Sequence, residues 1–133
     1  MNIANVLDSP KTKVLDYPYK GVKYPVKEVW IQWLSQAGPK DSPEYGLRLF
    51  TIGPDGEIPI HNHLYFQTMY ILTGHLLMVG YDGTMDTKVT EKEIGPGDVV
   101  FVPSMEPHSL HNMSHTEPCT LLCCIANVYE EED

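Results

Sequence analysis

Short apolar runs broken by turn-forming residues predict an all-β domain, a sandwich or barrel of antiparallel strands. Stretches rich in Val, Ile, Leu, Tyr and Phe recur along the 133 residues, punctuated by Gly, Pro, Asp and Asn. Apolar positions at helical spacing are nearly absent. Turns are signalled by Gly53-Pro54-Asp55-Gly56, Asp82-Gly83, Gly95-Pro96-Gly97 and Pro103-Ser104. The length suits one domain with a real core, and closing the sheet removes exposed edges.

In chain order, residues 1–25, with Pro10, Pro18 and Pro25, read as an extended arm. The barrel is expected over 26–128 and a solvated acidic tail over 129–133. Strand cores are expected at 27–34, 47–52, 58–63, 67–73, 75–81, 88–93, 98–102, 108–112 and 119–127. The first of these, Val29-Trp30-Ile31-Gln32-Trp33-Leu34, carries large apolar side chains on both faces. One face enters the barrel; the other needs a cover, either the folded-back arm or a second copy in a homodimer.

Composition narrows the function. A formal charge of −9 argues against nucleic acid, which needs a basic surface. No stretch reaches membrane-spanning length and no secretory signal is evident, so a soluble cytoplasmic protein is expected, with no membrane partner. Cys119, Cys123 and Cys124, odd in number and clustered in one apolar run, read as buried free thiols.

The chemistry-bearing residues are His61, His63, Gln67 and His108. Side chains two apart on a strand share a face, so His61 and His63 can meet one ion, and Gln67 follows on that face if the strand runs straight. Taken alone, a His-x-His pair is equally readable as two stacked or hydrogen-bonded rings. A later histidine tips the reading toward one divalent transition metal, Mn, Fe, Ni, Zn or Cu. Gln67 is either the fourth ligand or a pocket-lining amide. Asn112 reads as a turn anchor, and His75, His111 and His115 as surface or packing residues.

Two segments resemble the paired motifs of the cupin superfamily. Gly56 through His61-Asn62-His63 to Gln67, then six residues to Gly74, is similar to the first. Gly95-Pro96-Gly97-Asp98 through Pro103, then His108 and Asn112, is similar to the second. The likeness covers about residues 44–127 and implies a single-domain double-stranded β-helix, the jelly-roll barrel. Arg48-Leu49-Phe50-Thr51 looks like a strand of small manganese-binding cupins, which implies an inward Arg48 able to clamp a carboxylate. The same likeness places Leu121, Cys123 and Ile125 in the pocket, while alternation from His108 adds Leu110. Two departures stand out. Four residues rather than five separate Gly56 from His61, and Gln67 stands where the family usually has Glu.

A neutral Gln67 leaves a bound ion its full charge, making the site a stronger Lewis acid toward an anionic oxygen donor. Three functions follow for a small-molecule site. The expected one is a metal-dependent oxygenase, a dioxygenase-type oxidoreductase acting on a small acidic or enolic substrate; the other two are alternatives to it. Another is a non-redox isomerase or lyase in which Tyr65, in phase with His63, or a water moves the proton. The third is a binding or sensing protein without turnover. Tyr70 is out of phase and is expected to face away.

Overall fold

The computed structural model describes residues 1–36 and 44–126. After a 3-10 turn at Val6–Asp8 come β1 (Thr12–Lys13), β2 (Asp16–Tyr19), β3 (Val22–Pro25), β4 (Lys27–Ser35) and β5 (Gly46–His61). Then follow β6 (Gln67–Thr73), β7 (Leu76–Tyr81), β8 (Lys88–Ile94), β9 (Val99–Val102), β10 (His108–Asn112) and β11 (Cys119–Ile125). Nine strands form one curled sheet in the order β8-β7-β10-β5-β11-β6-β9, with β4 also pairing β5 and β1 pairing β4. β2 and β3 make a separate hairpin. The all-β jelly-roll expected from the sequence is what the chain forms.

β5 sets the architecture, and here the sequence reading needs correction. Gly53-Pro54-Asp55-Gly56 does not reverse the chain; it bends one 16-residue strand. Before the bend β5 pairs β4 and β11; beyond it Glu57 still meets Lys27 of β4, while Ile58 and His61 pair Leu110 and His108 of β10. Asp55 takes a left-handed φ of 60°, and a Cβ on Gly56 would lie 2.7 Å from Ile52 Cγ2 and 2.8 Å from the Gly53 carbonyl. Asn112 fastens the bend, its Nδ2 donating to the carbonyls of Ile52, Gly53 and Glu117 at 3.2, 2.9 and 2.8 Å. The residues that usually end a strand therefore let this one change partners.

A second correction concerns its end. β5 stops at His61, so Asn62 and His63 lie in a loop and Gln67 opens the next strand. Gln67 does not continue a straight strand from His63; the hairpin returns it to the same region. Strands at 67–73 and 108–112 fall where expected, whereas the strand expected at 75–81 begins at Leu76 and the one at 98–102 at Val99. The acidic tail over 129–133, and residue 127 of the last expected strand, lie outside the described residues.

The segment expected as an extended arm folds back onto the barrel. β1 adds to the edge of β4, with Thr12 opposite Ile31. Gln32 donates to the carbonyls of Val6 and Ser9 at 2.8 and 3.1 Å. The Lys11 and Lys13 ammonium groups stand 5.8 and 5.5 Å from the Trp30 ring centre. The arm thus covers part of this face. Val29, Ile52, Ile71, Leu76 and Leu121 are almost fully buried between the walls, giving the interior site a rigid apolar floor. Outside, Phe66, Tyr70, Val99 and Phe101 remain exposed on or beside β6 and β9.

Candidate metal centre

Three histidines converge at one end of the barrel, their ring nitrogens within 4.8 Å of one another. His61 closes β5 and His108 opens β10 directly across from it; His63 turns back from the loop. Each ring is held the same way. Nδ1 of His61, His63 and His108 lies 2.9 Å from the carbonyl oxygen of Pro59, Tyr65 and Glu106 respectively. A carbonyl only accepts, so each Nδ1 carries the proton and each Nε2 keeps a lone pair.

Burial keeps the rings neutral. It pushes His61 down to about 3, with His108 adding to the effect, and His108 down to about 4. His63 is also lowered, chiefly by burial. Nε2 of His63 is buried without a hydrogen-bond partner. Buried polar atoms seldom stay unpaired without a reason. Neutral imidazoles, locked tautomers and an orphaned inward lone pair together fit a divalent transition metal.

Beside the cluster lie Gln67 and Arg48, 5% and 6% exposed. Arg48 Nη2 donates to Gln67 Oε1 at 3.3 Å and to Cys123 Sγ at 2.9 Å. Trp33, Phe50 and Tyr65 surround the guanidinium, with ring centres 5.3, 4.9 and 5.9 Å away. Among the described residues no carboxylate pairs with Arg48, and its buried Nε has no acceptor. Gln67 presents its amide nitrogen, not its oxygen, toward His108 Nε2, at 3.2 Å. Ligation through Oε1 would require the amide to turn over.

Among the predicted residues, His61, His63, Gln67, His108, Arg48, Tyr65, Leu110, Leu121 and Cys123 line one cavity of about 20 Å³. That is room for a single ion or water. Ile125 is not among them. It is buried at the end of β11, where it covers Gly46 beside Trp33. Tyr70 faces solvent, His111 turns out toward Glu57 at 3.7 Å, and His115 bonds Asp55. All three cysteines are free thiols; Cys119 lies at the other end, donating to the His75 carbonyl.

Sequence reasoning missed Phe50, Ile58, Met69 and, above all, Tyr17. Tyr17, on β2, stacks on His61 with ring centres 4.4 Å apart and planes within 13°, much as Tyr65 stacks on His63 at 4.1 Å. Burial raises its hydroxyl to about 12, against the lowering effect of Arg48. The hairpin carrying it is latched to the loop before β8. Tyr19 donates to Asp86 Oδ1 at 2.6 Å and Lys20 does so at 3.2 Å. A signal was available: Lys20-Gly21, with φ of 50° and 80°, is a two-residue hairpin turn between Tyr-rich flanks.

The lowered histidines make a prediction for the metal-free protein. Their folded values lie below the ordinary 6.5, so the unfolded chain binds more protons in between. Stability is full above about pH 6.5 and falls as pH drops toward about 4. The melting temperature is expected to decline over that window by on the order of 5 °C or more. A flat profile in differential scanning calorimetry would contradict it.

A jelly-roll barrel with neutral histidines gathered inside defines a barrel domain with a candidate metal site. The chain belongs to the cupin domain family Cupin_2, whose model matches residues 48–125. It is also 32% identical over 75 residues to the uncharacterized protein MJ1618 of Methanocaldococcus jannaschii, a match spanning 56% of this chain and 54% of that protein. The chain thus spans about half the length of that curated relative.

Among solved structures it is similar to the polyketide cyclase RemF from Streptomyces resistomycificus. The identity there is 24% and the TM-score 0.73, over 100% of this chain and 89% of that one. An RmlC-like cupin from Shewanella frigidimarina matches at 15% identity and TM-score 0.72, over 98% and 94% of the two chains. Oxalate decarboxylase from Lactobacillus farciminis matches at 13% and 0.69, over 96% of this chain and 33% of the other. At these identities the likeness is one of fold.

Proposed function

We propose that the chain is a metal-dependent enzyme acting on a small acidic or enolic substrate through non-redox chemistry of the isomerase, lyase or cyclase kind. The observation that carries this reading is the pairing of three neutral histidines with a buried Arg48 that, among the described residues, no carboxylate pairs. Burying a cation without a counter-charge is costly, and an anionic ligand offsets that cost. A divalent transition metal would supply Lewis-acid polarisation of a substrate oxygen.

His61, His63 and His108 would hold the ion through Nε2. The guanidinium of Arg48 binds the substrate's carboxylate or enolate oxygen. Tyr17 and Tyr65 exclude water, and with its hydroxyl raised to about 12 Tyr17 stays protonated, a donor rather than a base. The Tyr65 hydroxyl or a water would move the proton. The cavity has room only for an ion or a water, so admitting an organic substrate would require the β2–β3 hairpin that carries Tyr17 to move. Similarity in fold to the polyketide cyclase RemF over the whole chain is in keeping with a cyclase reading.

An oxygenase of dioxygenase type is the second reading, favoured by the manganese-cupin likeness of Arg48-Leu49-Phe50-Thr51. The test is turnover of a panel of 2-oxo acids, β-diketones and enols by zinc-loaded protein under argon. Product formed without dioxygen supports the proposal. Dioxygen consumed in step with substrate, by the Mn or Fe form only, replaces it with the oxygenase. Ligand binding with no product under any metal reduces the protein to a sensor. A cytoplasmic homodimer is proposed with it, on the exposed apolar side chains of β6 and β9, and sedimentation at the monomer mass would refute the dimer.

A further inference from the structure

We infer that Gln67 is not a metal ligand but a hydrogen-bond donor that orients an anionic oxygen bound at the open side of the three-histidine site. This rests on the metal-centre reading above and deepens it.

Arg48 fixes the amide. Gln67 Oε1 accepts from Arg48 Nη2 and from Cys123 Sγ, both at 3.3 Å. A guanidinium has donors only, so turning the amide over would set N–H against N–H inside a closed, buried site. Packing between Trp33, Phe50 and Tyr65 keeps Arg48 in place. The Gln67 oxygen is therefore committed away from the histidines, and its nitrogen toward them.

His108 then settles what that nitrogen can do. With Nδ1 donating to the Glu106 carbonyl, Nε2 has one lone pair. In the metal-free protein it accepts from Gln67 Nε2 at 3.2 Å. His108 would give up that acceptor if its Nε2 held an ion, leaving the Gln67 N–H without one. An anionic oxygen bound beside His108 would be placed to receive it. Arg48 and Gln67 thus form a pair of donors beside the histidines, and three neutral ligands would leave a bound ion its full charge. Glutamate at 67 would do neither. It has no N–H to give, and it would neutralise Arg48.

The experiment loads the purified full chain with Co(II), reads its visible absorption, and titrates acetate as the carboxylate probe. Gln67→Leu removes the donor at similar volume, and Gln67→Asn keeps an amide as a check on folding. Expected for Gln67→Leu is a Co(II) affinity within about threefold of the parent, with acetate binding weakened about tenfold or more. Gln67→Glu is expected to tighten Co(II) and weaken acetate. Loss of Co(II) affinity by more than about thirtyfold in Gln67→Leu, with its circular dichroism and that of Gln67→Asn unchanged, would make Gln67 a ligand and overturn the inference. Unchanged acetate affinity in Gln67→Leu would overturn it as well. Failure of the parent to bind Co(II) would overturn the metal centre itself, a distinct result.

Discussion

His61→Ala and His108→Ala are each expected to lower affinity for a divalent transition metal by more than about 100-fold, leaving purified protein with essentially no stoichiometric metal. Each substitution removes one of three lone pairs that backbone carbonyls aim at a common point. Among the described residues no fourth donor stands ready to replace it, because the Gln67 oxygen is already held by Arg48 and Cys123. Gln67→Ala should cost far less. Elemental analysis of the four proteins decides the matter, and equal metal content in all of them would refute the assignment. His61→Ala also strips Tyr17 of its stacking partner, so its hairpin should loosen, which faster proteolysis within residues 16–25 would register.

Gly74→Ala is expected to be the most damaging small substitution outside the site. Gly74 has φ of +86°, and an added Cβ would lie 2.4 Å from Cys119 Sγ and 2.9 Å from Cys119 Cα. Backbone cannot yield as a flexible side-chain tip can, and the left-handed conformation already disfavours a side chain. A loss of roughly 3 kcal/mol or more is expected, read as a lower denaturation midpoint in urea. The turn it occupies joins β6, which carries Gln67, to β7, which pairs with β10 behind His108. Metal affinity should fall with stability. A variant as stable as the parent would mean that Cys119 can move aside.

Much of this was legible because alternation and turn chemistry are local. The strands at 67–73 and 108–112 are bounded by polar residues and Gly or Pro, and the structure places them there. His61, His63 and His108 were readable as a set because their spacing matches two ordered motifs. Gly53-Pro54-Asp55-Gly56 misled because a bend and a reversal use the same residues; what decides is Asn112, which holds the carbonyls of Ile52 and Gly53 from 59 or 60 positions away. Ile125 shares a face with Leu121 and Cys123, but the bare backbone of Gly46 gives it somewhere else to pack. Tyr17 escaped notice because its partner, His61, lies in a distant part of the chain. The turn of the Gln67 amide depends on Arg48, a contact no spacing rule contains.

The central claim is that three rings, each tethered through Nδ1, turn Nε2 to one ion. Anomalous diffraction from crystals grown with Zn or Co tests it most directly. A single peak at about 2.1 Å from Nε2 of His61, His63 and His108, with Gln67 Oε1 still on Arg48, is the predicted result. A peak bound through Nδ1, or no peak among these rings at saturating metal, would contradict it.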